Sequence, residues 1–439
     1  MSYPRNPDIE KKAHEVIQYA KLMYEYGVSE TNIEEALNGV AVYLKDATER
    51  LKSLEIDRNL LKDEPNSLLD IRALREPGPR RLWKSFDKKV YEDKLAGAVL
   101  SRFAGCTLGA PVEFWTVEQM EDWAAYNDIA FPPVDYWPEI KNPSDLRYGM
   151  SRFEDYTRSR MNGVPVDDDI TYTILGLLIA EEYGLDFSVE DVGKAWLRYL
   201  PMACTAEHIT LENLKKGVPA EKAGETDNPY CQWIGADIRS DPWAYMAPAW
   251  PEKAAELAWR DAFLSHRRNG IYGEMFFAAA QSAAFAVDTA REAIETGLTE
   301  IPKGCLLYKD IIWALEYSGK IHNYRDARRA VDERFAGMGG AHTNNNACLT
   351  VFGLLMAEGD VTGVISNLVA MGLDNDCTAA TAGSIVGAIV GKDGVPKHWY
   401  APFNDKVRTY MNGVPELSIT DVLNRFGALA WELWKRNNE

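Results

Sequence analysis

Lys94-Leu95-Ala96-Gly97-Ala98-Val99-Leu100-Ser101-Arg102-Phe103-Ala104-Gly105-Cys106-Thr107-Leu108-Gly109-Ala110-Pro111-Val112-Glu113 places Gly97, Ser101, Gly105 and Gly109 at every fourth position. Residues four apart share one face of an α-helix, so the run reads as a helix with a stripe of small side chains. A second stripe, Ala379, Gly383, Gly387 and Gly391, lies towards the carboxyl end. Glycine costs a helix interior about 1 kcal/mol relative to alanine, and close backbone approach between two helices compensates for that cost. The two stripes therefore predict a tightly packed helix pair in the core, with Glu113, just past the first helix, carried towards the acidic loops of the chain.

Outward from these runs the apolar spacing stays helical, with alanine-rich stretches at Met275 to Ala290 and Asn344 to Met356, while period-two strand patterns are scarce. The expected fold is all-α, a compact multi-helix body. Residues 8–55 space their apolar side chains (Ile17, Ala20, Met23, Tyr24; Ile33, Ala36, Leu37, Val40, Leu44) as two or three amphipathic helices. Pro65 to Pro79 reads as a connecting loop. The expected division is thus an N-terminal helical extension and linker over 1–85 and a main domain over 86–439. Two irregular segments, Pro132 to Pro143 and Thr226 to Pro251, are rich in proline and aromatic residues. Such segments in a helical body either cover a site or simply pack on its surface.

The 439 residues are 46% apolar, enough for one large core or two smaller ones, and the formal charge of −18 disfavours a nucleic-acid partner. Six cysteines fall without CxxC spacing, which suggests neither a zinc site nor a disulfide framework. The start has no apolar leader, and the longest uncharged apolar run, residues 377–391, is too short and glycine-rich to span a bilayer. These features predict a cytoplasmic protein with no membrane partner; they leave the oligomeric state open.

Two acidic clusters carry the chemistry. Met371-Gly372-Leu373-Asp374-Asn375-Asp376-Cys377-Thr378 sets two carboxylates at the mouth of the second small-residue helix. One of them as a helix cap and the other solvated is the plainer alternative to a cation site. Asp167-Asp168-Asp169-Ile170 leads directly into the apolar helix Thr171-Tyr172-Thr173-Ile174-Leu175. Capping needs one carboxylate, and the surplus repels by roughly 4 kcal/mol per pair at about 4 Å and an effective dielectric of about 20. A divalent ion would relieve that repulsion, and an exposed acidic loop is the alternative. Oxygen-only ligand sets suit Mg²⁺ or Mn²⁺, one ion or two, and such ions serve hydrolysis. His266 and His342 lie in polar turns containing glycine, as structural histidines or as substrate contacts.

Taken together, the three elements resemble the ADP-ribosylglycohydrolase family, including the dinitrogenase reductase-activating glycohydrolases. Gly97 to Glu113 is similar to the family's G-A-x-x-G-x-A-x-G-D-A-L-G-A-P-x-E. Asp167 to Ile170 is similar to its T-D-D-T, and Gly372 to Gly383 to its G-G-D-T-D-T-x-A-A-x-A-G. The resemblance covers about residues 90–415. It implies an all-helical domain with a metal site from Asp168, Asp169, Asp374 and Asp376, and Glu113 near a substrate ribose. There are departures: Asp167 and Cys377 stand where the family has metal-binding threonines, Ile170 replaces a further threonine, and Cys106 replaces an aspartate. Thiolate is a poor ligand for Mg²⁺, so Cys377 implies an altered metal position, with Asp167 as a compensating ligand. The Asp-x-Asp-Cys form resembles a bacterial branch that also carries segments similar to Ile234 to Arg239, Ser265-His266, Asn269 to Glu274 and His342 to Asn346.

The resulting expectation is a hydrolase that depends on Mg²⁺ or Mn²⁺ and cleaves an N- or O-glycosidic bond at the anomeric carbon of a ribosyl group. The substrate would be an ADP-ribosyl or a smaller ribosyl or furanosyl compound, free or protein-linked. Asp167, Asp168, Asp169, Asp374, Asp376 and Cys377 are the expected metal ligands, and Glu113 and Asp169 the expected catalytic groups. Arg239, His266, Tyr272, His342 and Asn344 are expected to line the substrate pocket. A catalytically silent ribosyl-binding protein and a metal-dependent phosphoester hydrolase are the competing expectations.

Overall fold

The computed structural model describes residues 7–437. They divide into two compact units, one reaching to Lys62 and including Phe335–Met338, the other formed by Asp63–Arg334 and Gly339–Glu439. The first unit contains the helices Pro7–Glu25 and Glu30–Lys52. Ser29 caps the second of them, its Oγ accepting from the Asn32 N–H at 3.3 Å. The expected amphipathic helices form, but their apolar stripe is not buried within the unit. Glu30–Lys52 buries no residue, and Ile17, Tyr24, Val40 and Leu44 stand between 40% and 66% exposed.

The second unit is helical throughout, apart from two small antiparallel pairs, Leu146–Arg147 with Ser151–Arg152 and Lys406–Arg408 with Glu416–Ser418. At its centre lie the helices Lys88–Gly109 and Asn375–Val390. A Cβ on Gly97 would fall 2.3 Å from the Gly387 carbonyl oxygen, one on Gly105 2.2 Å from that of Ala379, and one on Gly109 2.5 Å from the Asp376 Cα. Position 97 therefore meets 387, 105 meets 379 and 109 meets 376, so the helices run antiparallel with backbones touching. This register brings the end of the first helix to the beginning of the second. The segment Lys88–Val112 is long and apolar enough to cross a membrane, yet its apolar window lies wholly inside the protein, so its apolarity serves the core.

Arg102 ties this pair to the rest of the body. Fully buried, it donates from Nε to Thr173 Oγ1 at 2.8 Å and from Nη2 to the Asp169 and Ile238 carbonyls at 2.9 and 2.7 Å, and it pairs through Nη1 with Asp241 at 2.7 Å. A buried charge stripped of such partners costs about 3–5 kcal/mol. Arg102 thereby fixes helix Asp168–Tyr183 and the turn Ile234–Arg239 beside the central pair.

Residues 63–85, which include the stretch Pro65 to Pro79 read as a connecting loop, belong to the second unit. Glu64 accepts from the Leu306 N–H at 2.8 Å and from Arg268 Nε at 2.7 Å. Arg75 pairs with Glu252 and Glu300, Arg80 joins Glu300 at 2.6 Å, and the Leu82 N–H donates to the Ala249 carbonyl at 2.7 Å. The segment is a strap held by ion pairs. Its proline content suggested a loop, and these long-range partners leave no local mark in the sequence.

Candidate active site

The antiparallel register explains how the site is assembled. After Gly109 the chain makes one 3-10 turn, Ala110–Val112, and delivers Glu113; opposite it, Gly372 and Leu373 lead into Asp374 at the head of helix Asn375–Val390. The Phe114 N–H donates to the Leu373 carbonyl at 3.0 Å and staples the two segments. Phe114 and Leu373 both have positive φ, 58° and 59°, as does Tyr148 at 52°. Bulky residues pay about 1–3 kcal/mol for such a conformation, and these three adjoin Glu113, Asp374 and Arg147. Asn346 adds a further constraint, its Oδ1 accepting from the Asp374 N–H at 3.3 Å while its Nδ2 donates to the Gly340 and His342 carbonyls. Asp167 caps helix Asp168–Tyr183, its Oδ1 accepting from the Asp169 N–H at 3.1 Å.

These segments bring two sets of ligand atoms together, Glu113 with Asp374 and Asp376, and Cys106 with Asp167 and Asp169, each set within 4.8 Å. A guanidinium joins them. Arg147, from the short hairpin, donates from Nη1 to Glu113 Oε2 at 2.7 Å, from Nε to Asp167 Oδ2 at 2.8 Å and from Nη2 to Asp376 Oδ2 at 2.7 Å. The neighbouring Tyr148 hydroxyl donates to Asp168 Oδ1 at 2.7 Å.

Burial raises the pKa of Asp167, Asp169, Asp374 and Asp376; Arg147 opposes this at Asp167 and Asp376 and Arg102 at Asp169, while Asp376 adds to it at the other three and Asp168 adds to it at Asp376. Glu113 is pushed up to about 7, first by burial and then by Asp376, with Arg147 opposing. Burial also opposes the Arg147 charge, but Asp167, Glu113 and Asp376 outweigh it and hold the guanidinium protonated. Two guanidinium groups, Arg147 and Arg102, thus face six carboxyl groups, Glu113 and the five aspartates. Asp376 Oδ1 is moreover buried without a hydrogen-bond partner. A surplus of carboxyl groups over guanidinium groups and an orphaned oxygen fit a hard divalent cation on the Asp374–Asp376 side. Asp167 offers less to an ion, since both its oxygens are taken up by protein donors.

Of the expected metal ligands, Asp167, Asp169, Asp374 and Asp376 fall in the two converging sets, and Asp168 falls in neither. Asp169 sits on the Arg102 side, its Oδ1 3.3 Å from Nη2. Cys377 joins neither converging set; burial and the surrounding aspartates raise its pKa well above that of a free thiol. Cys106 joins one set instead, though burial likewise keeps it protonated.

The expected pocket residues lie largely in the body's own networks. Arg239 is buried and bonded to Asp261 at 2.6 Å, Glu207 at 2.8 Å and Ser265 at 2.9 Å, with Glu274 at 3.5 Å. Its donors are spent on the core. Tyr272 is fully buried with its hydroxyl donating to the Pro65 carbonyl. His266 is buried with Nδ1 2.8 Å from Ser265 Oγ; burial, together with Arg239 and Arg267, holds it neutral. His342 caps helix Thr343–Met356 through Nδ1, and burial lowers its pKa to about 4. Asn344 donates to Asp310 Oδ2 at 2.8 Å, and its own Oδ1 is buried without a partner.

Sequence reasoning missed Arg147, Tyr148, Asn346 and Asp237. Asp237 lies two residues before Arg239, is buried, and has no partner on either oxygen; burial raises its pKa well above the usual carboxylate range. Asn346 was within reach, because polar side chains in the first turn of a buried helix need a specific partner.

The fold and site define an all-helical protein with an enclosed acidic centre at the meeting of two helix ends. The ADP-ribosylglycohydrolase family profile matches residues 87–430, and the chain belongs to that family of ribosyl glycohydrolases. A solved structure described as an ADP-ribosylglycohydrolase-related protein complex aligns with 79% of this chain and 99% of its own, at 20% identity and a TM-score of 0.48. No curated protein matches the chain.

Proposed function

We propose that the protein is a divalent-metal-dependent hydrolase that cleaves the glycosidic bond at the anomeric carbon of a ribosyl group. The observation that carries this reading is the enclosed carboxylate cluster at the junction of the two small-residue helices, where an uncompensated oxygen of Asp376 adjoins Glu113 with its pKa near 7. Asp374 and Asp376, with Asp168 and Asp169 facing them, would hold Mg²⁺ or Mn²⁺. When bound, the ion supplies Lewis acidity and charge neutralisation for the ribose hydroxyls. Glu113 has a pKa suited to a general base at neutral pH. Its Oε2 is occupied by Arg147, so Oε1 is the atom that accepts the proton of the attacking water. Asn346 and the Phe114–Leu373 staple fix the two carboxylate-bearing segments relative to one another. The free cysteines support a reducing, cytoplasmic setting.

Ribosyl release from ADP-ribosylated protein, ADP-ribosyl small molecules and nucleosides, measured with and without chelator, tests the reading. Release that stops in chelator and returns with Mn²⁺ supports it; release indifferent to chelator refutes it. The Arg147 pairing also gives substance to a silent ribosyl-binding protein, which would bind ADP-ribose but turn over none of the panel with any divalent ion.

A further inference from the structure

The geometry points to Arg147 as a built-in cation that permanently fills one cation position of the site, leaving a single divalent position on the Asp374–Asp376 side. This rests on the metal-dependent reading above and specifies how many ions the centre takes. Three N–H groups of one guanidinium face three carboxylates from three separate segments, Glu113, Asp167 and Asp376, at 2.7 to 2.8 Å, and Nη1 also donates to the Ala110 carbonyl at 3.2 Å. A planar guanidinium with fixed donors replaces a point charge well where ligand oxygens lie around it in a plane.

The pairing is built in at both ends. Tyr148, with its positive φ, turns the hairpin so that its hydroxyl reaches Asp168 while its ring lies 5.3 Å from that of Tyr410 and 5.1 Å from the guanidinium carbon. The Arg147 side chain is only 10% exposed. Asp167 spends Oδ1 on the helix cap and Oδ2 on Arg147, so it leaves the ligand set. Asp376 spends Oδ2 on Arg147 and keeps Oδ1 free. One side of the cluster is thus closed by protein donors and the other remains open to an ion.

The test is Mn²⁺ stoichiometry of the full chain, by native mass spectrometry and calorimetric titration, for the parent, Arg147→Met and Arg147→Lys. The expected counts are one ion for the parent, two for Arg147→Met and one for Arg147→Lys. In chelator the unfolding midpoint of Arg147→Met should fall, and Mn²⁺ should restore it by a larger shift than it gives the parent. Equal counts for the parent and Arg147→Met overturn the inference. If Arg147→Met does not fold, the parent decides alone: one ion upholds the single position and two overturn it. A parent that takes no ion refutes the metal reading of the function, whatever the variant gains, so the two failures remain distinct.

Discussion

The central helix pair and the hairpin at residues 146–152 build the same site by opposite means. The helices meet through backbone: Gly97, Gly105 and Gly109 have no side chain because a carbonyl or a Cα of the partner occupies the space. The hairpin meets the site through one long side chain, with strands of two residues each. The first contact is specified by a repeated absence of side chains over about three and a half turns of helix, the second by a single arginine 20 residues from one partner and 229 from another. Repetition is visible in a sequence, and a solitary long-range contact is not.

Glu113, where helix end and hairpin converge, should show the largest effect. Glu113→Gln keeps the shape and an acceptor for Arg147 but removes the base, so kcat for ribosyl release should fall about a hundred- to ten-thousand-fold while Mn²⁺ binding persists. A variant with near-parental kcat would transfer the base to another group and leave Glu113 a mere partner of Arg147.

Gly105→Ala tests the backbone contact. The new Cβ would stand 2.2 Å from the Ala379 carbonyl oxygen, which cannot turn aside as a side chain would. We expect a loss of about 3 kcal/mol in denaturant unfolding, the upper part of the usual range for overpacking, despite the gain in helix propensity. A neutral result would mean that the helices are not in contact.

This contrast also accounts for what the sequence disclosed. The all-α body, the helix pair and the clusters Asp167–Asp169 and Asp374–Asp376 are contiguous or periodic, and each was legible. Arg239 was expected in the pocket from the resemblance of Ile234–Arg239 to a family segment; Glu207, Asp261 and Glu274, which neutralise it, are scattered over three other helices and cannot be assigned to it without the fold. Pro65 to Pro79 was read as a connecting loop from its prolines, and the partners of Arg72 and Arg75 in it are equally remote in sequence. In the first unit the periodicity of residues 8–55 foretold helices correctly, but burial depends on a partner surface that periodicity does not reveal.

On the hairpin side, Tyr148→Phe removes the hydroxyl from Asp168 and leaves the ring packing, so it sharpens the estimate of how firmly Arg147 is held. A hydrogen bond to a charged group contributes about 1.5–3 kcal/mol when well enclosed; for the partly exposed Asp168 the expected loss is about 1 kcal/mol in thermal unfolding. A loss near zero would make the hairpin mobile and the Arg147 pairing transient.

The His342 cap gives a pH counterpart. Its folded pKa, about 4, lies below the ordinary value of 6.5 because burial disfavours the cation, and a protonated Nδ1 could no longer accept from the Asn344 N–H. Protonation favours the unfolded chain, so the stability it confers is complete above pH 6.5 and is lost as pH falls towards 4. His342→Asn, which retains a capping side chain without a titrating ring, should flatten that part of the stability profile. An unchanged slope would assign the acid sensitivity to the carboxylate cluster or to His266.

The smallest effect is the most exact control for the helix pair. Gly39, in helix Glu30–Lys52, has nothing within 4 Å of where its Cβ would lie. Gly39→Ala is the same chemical change as Gly105→Ala in the same secondary structure, so helix propensity enters both equally, at about 1 kcal/mol in favour of alanine. Only the neighbour differs. Gly39→Ala should therefore raise the stability of its own unit by about 0.5–1 kcal/mol, read from the helical signal of the transition that reports on that unit. If both substitutions destabilised alike, the cost at Gly105 could not be charged to the Ala379 carbonyl, and the small-residue stripe would lose its explanation as a surface of backbone contact.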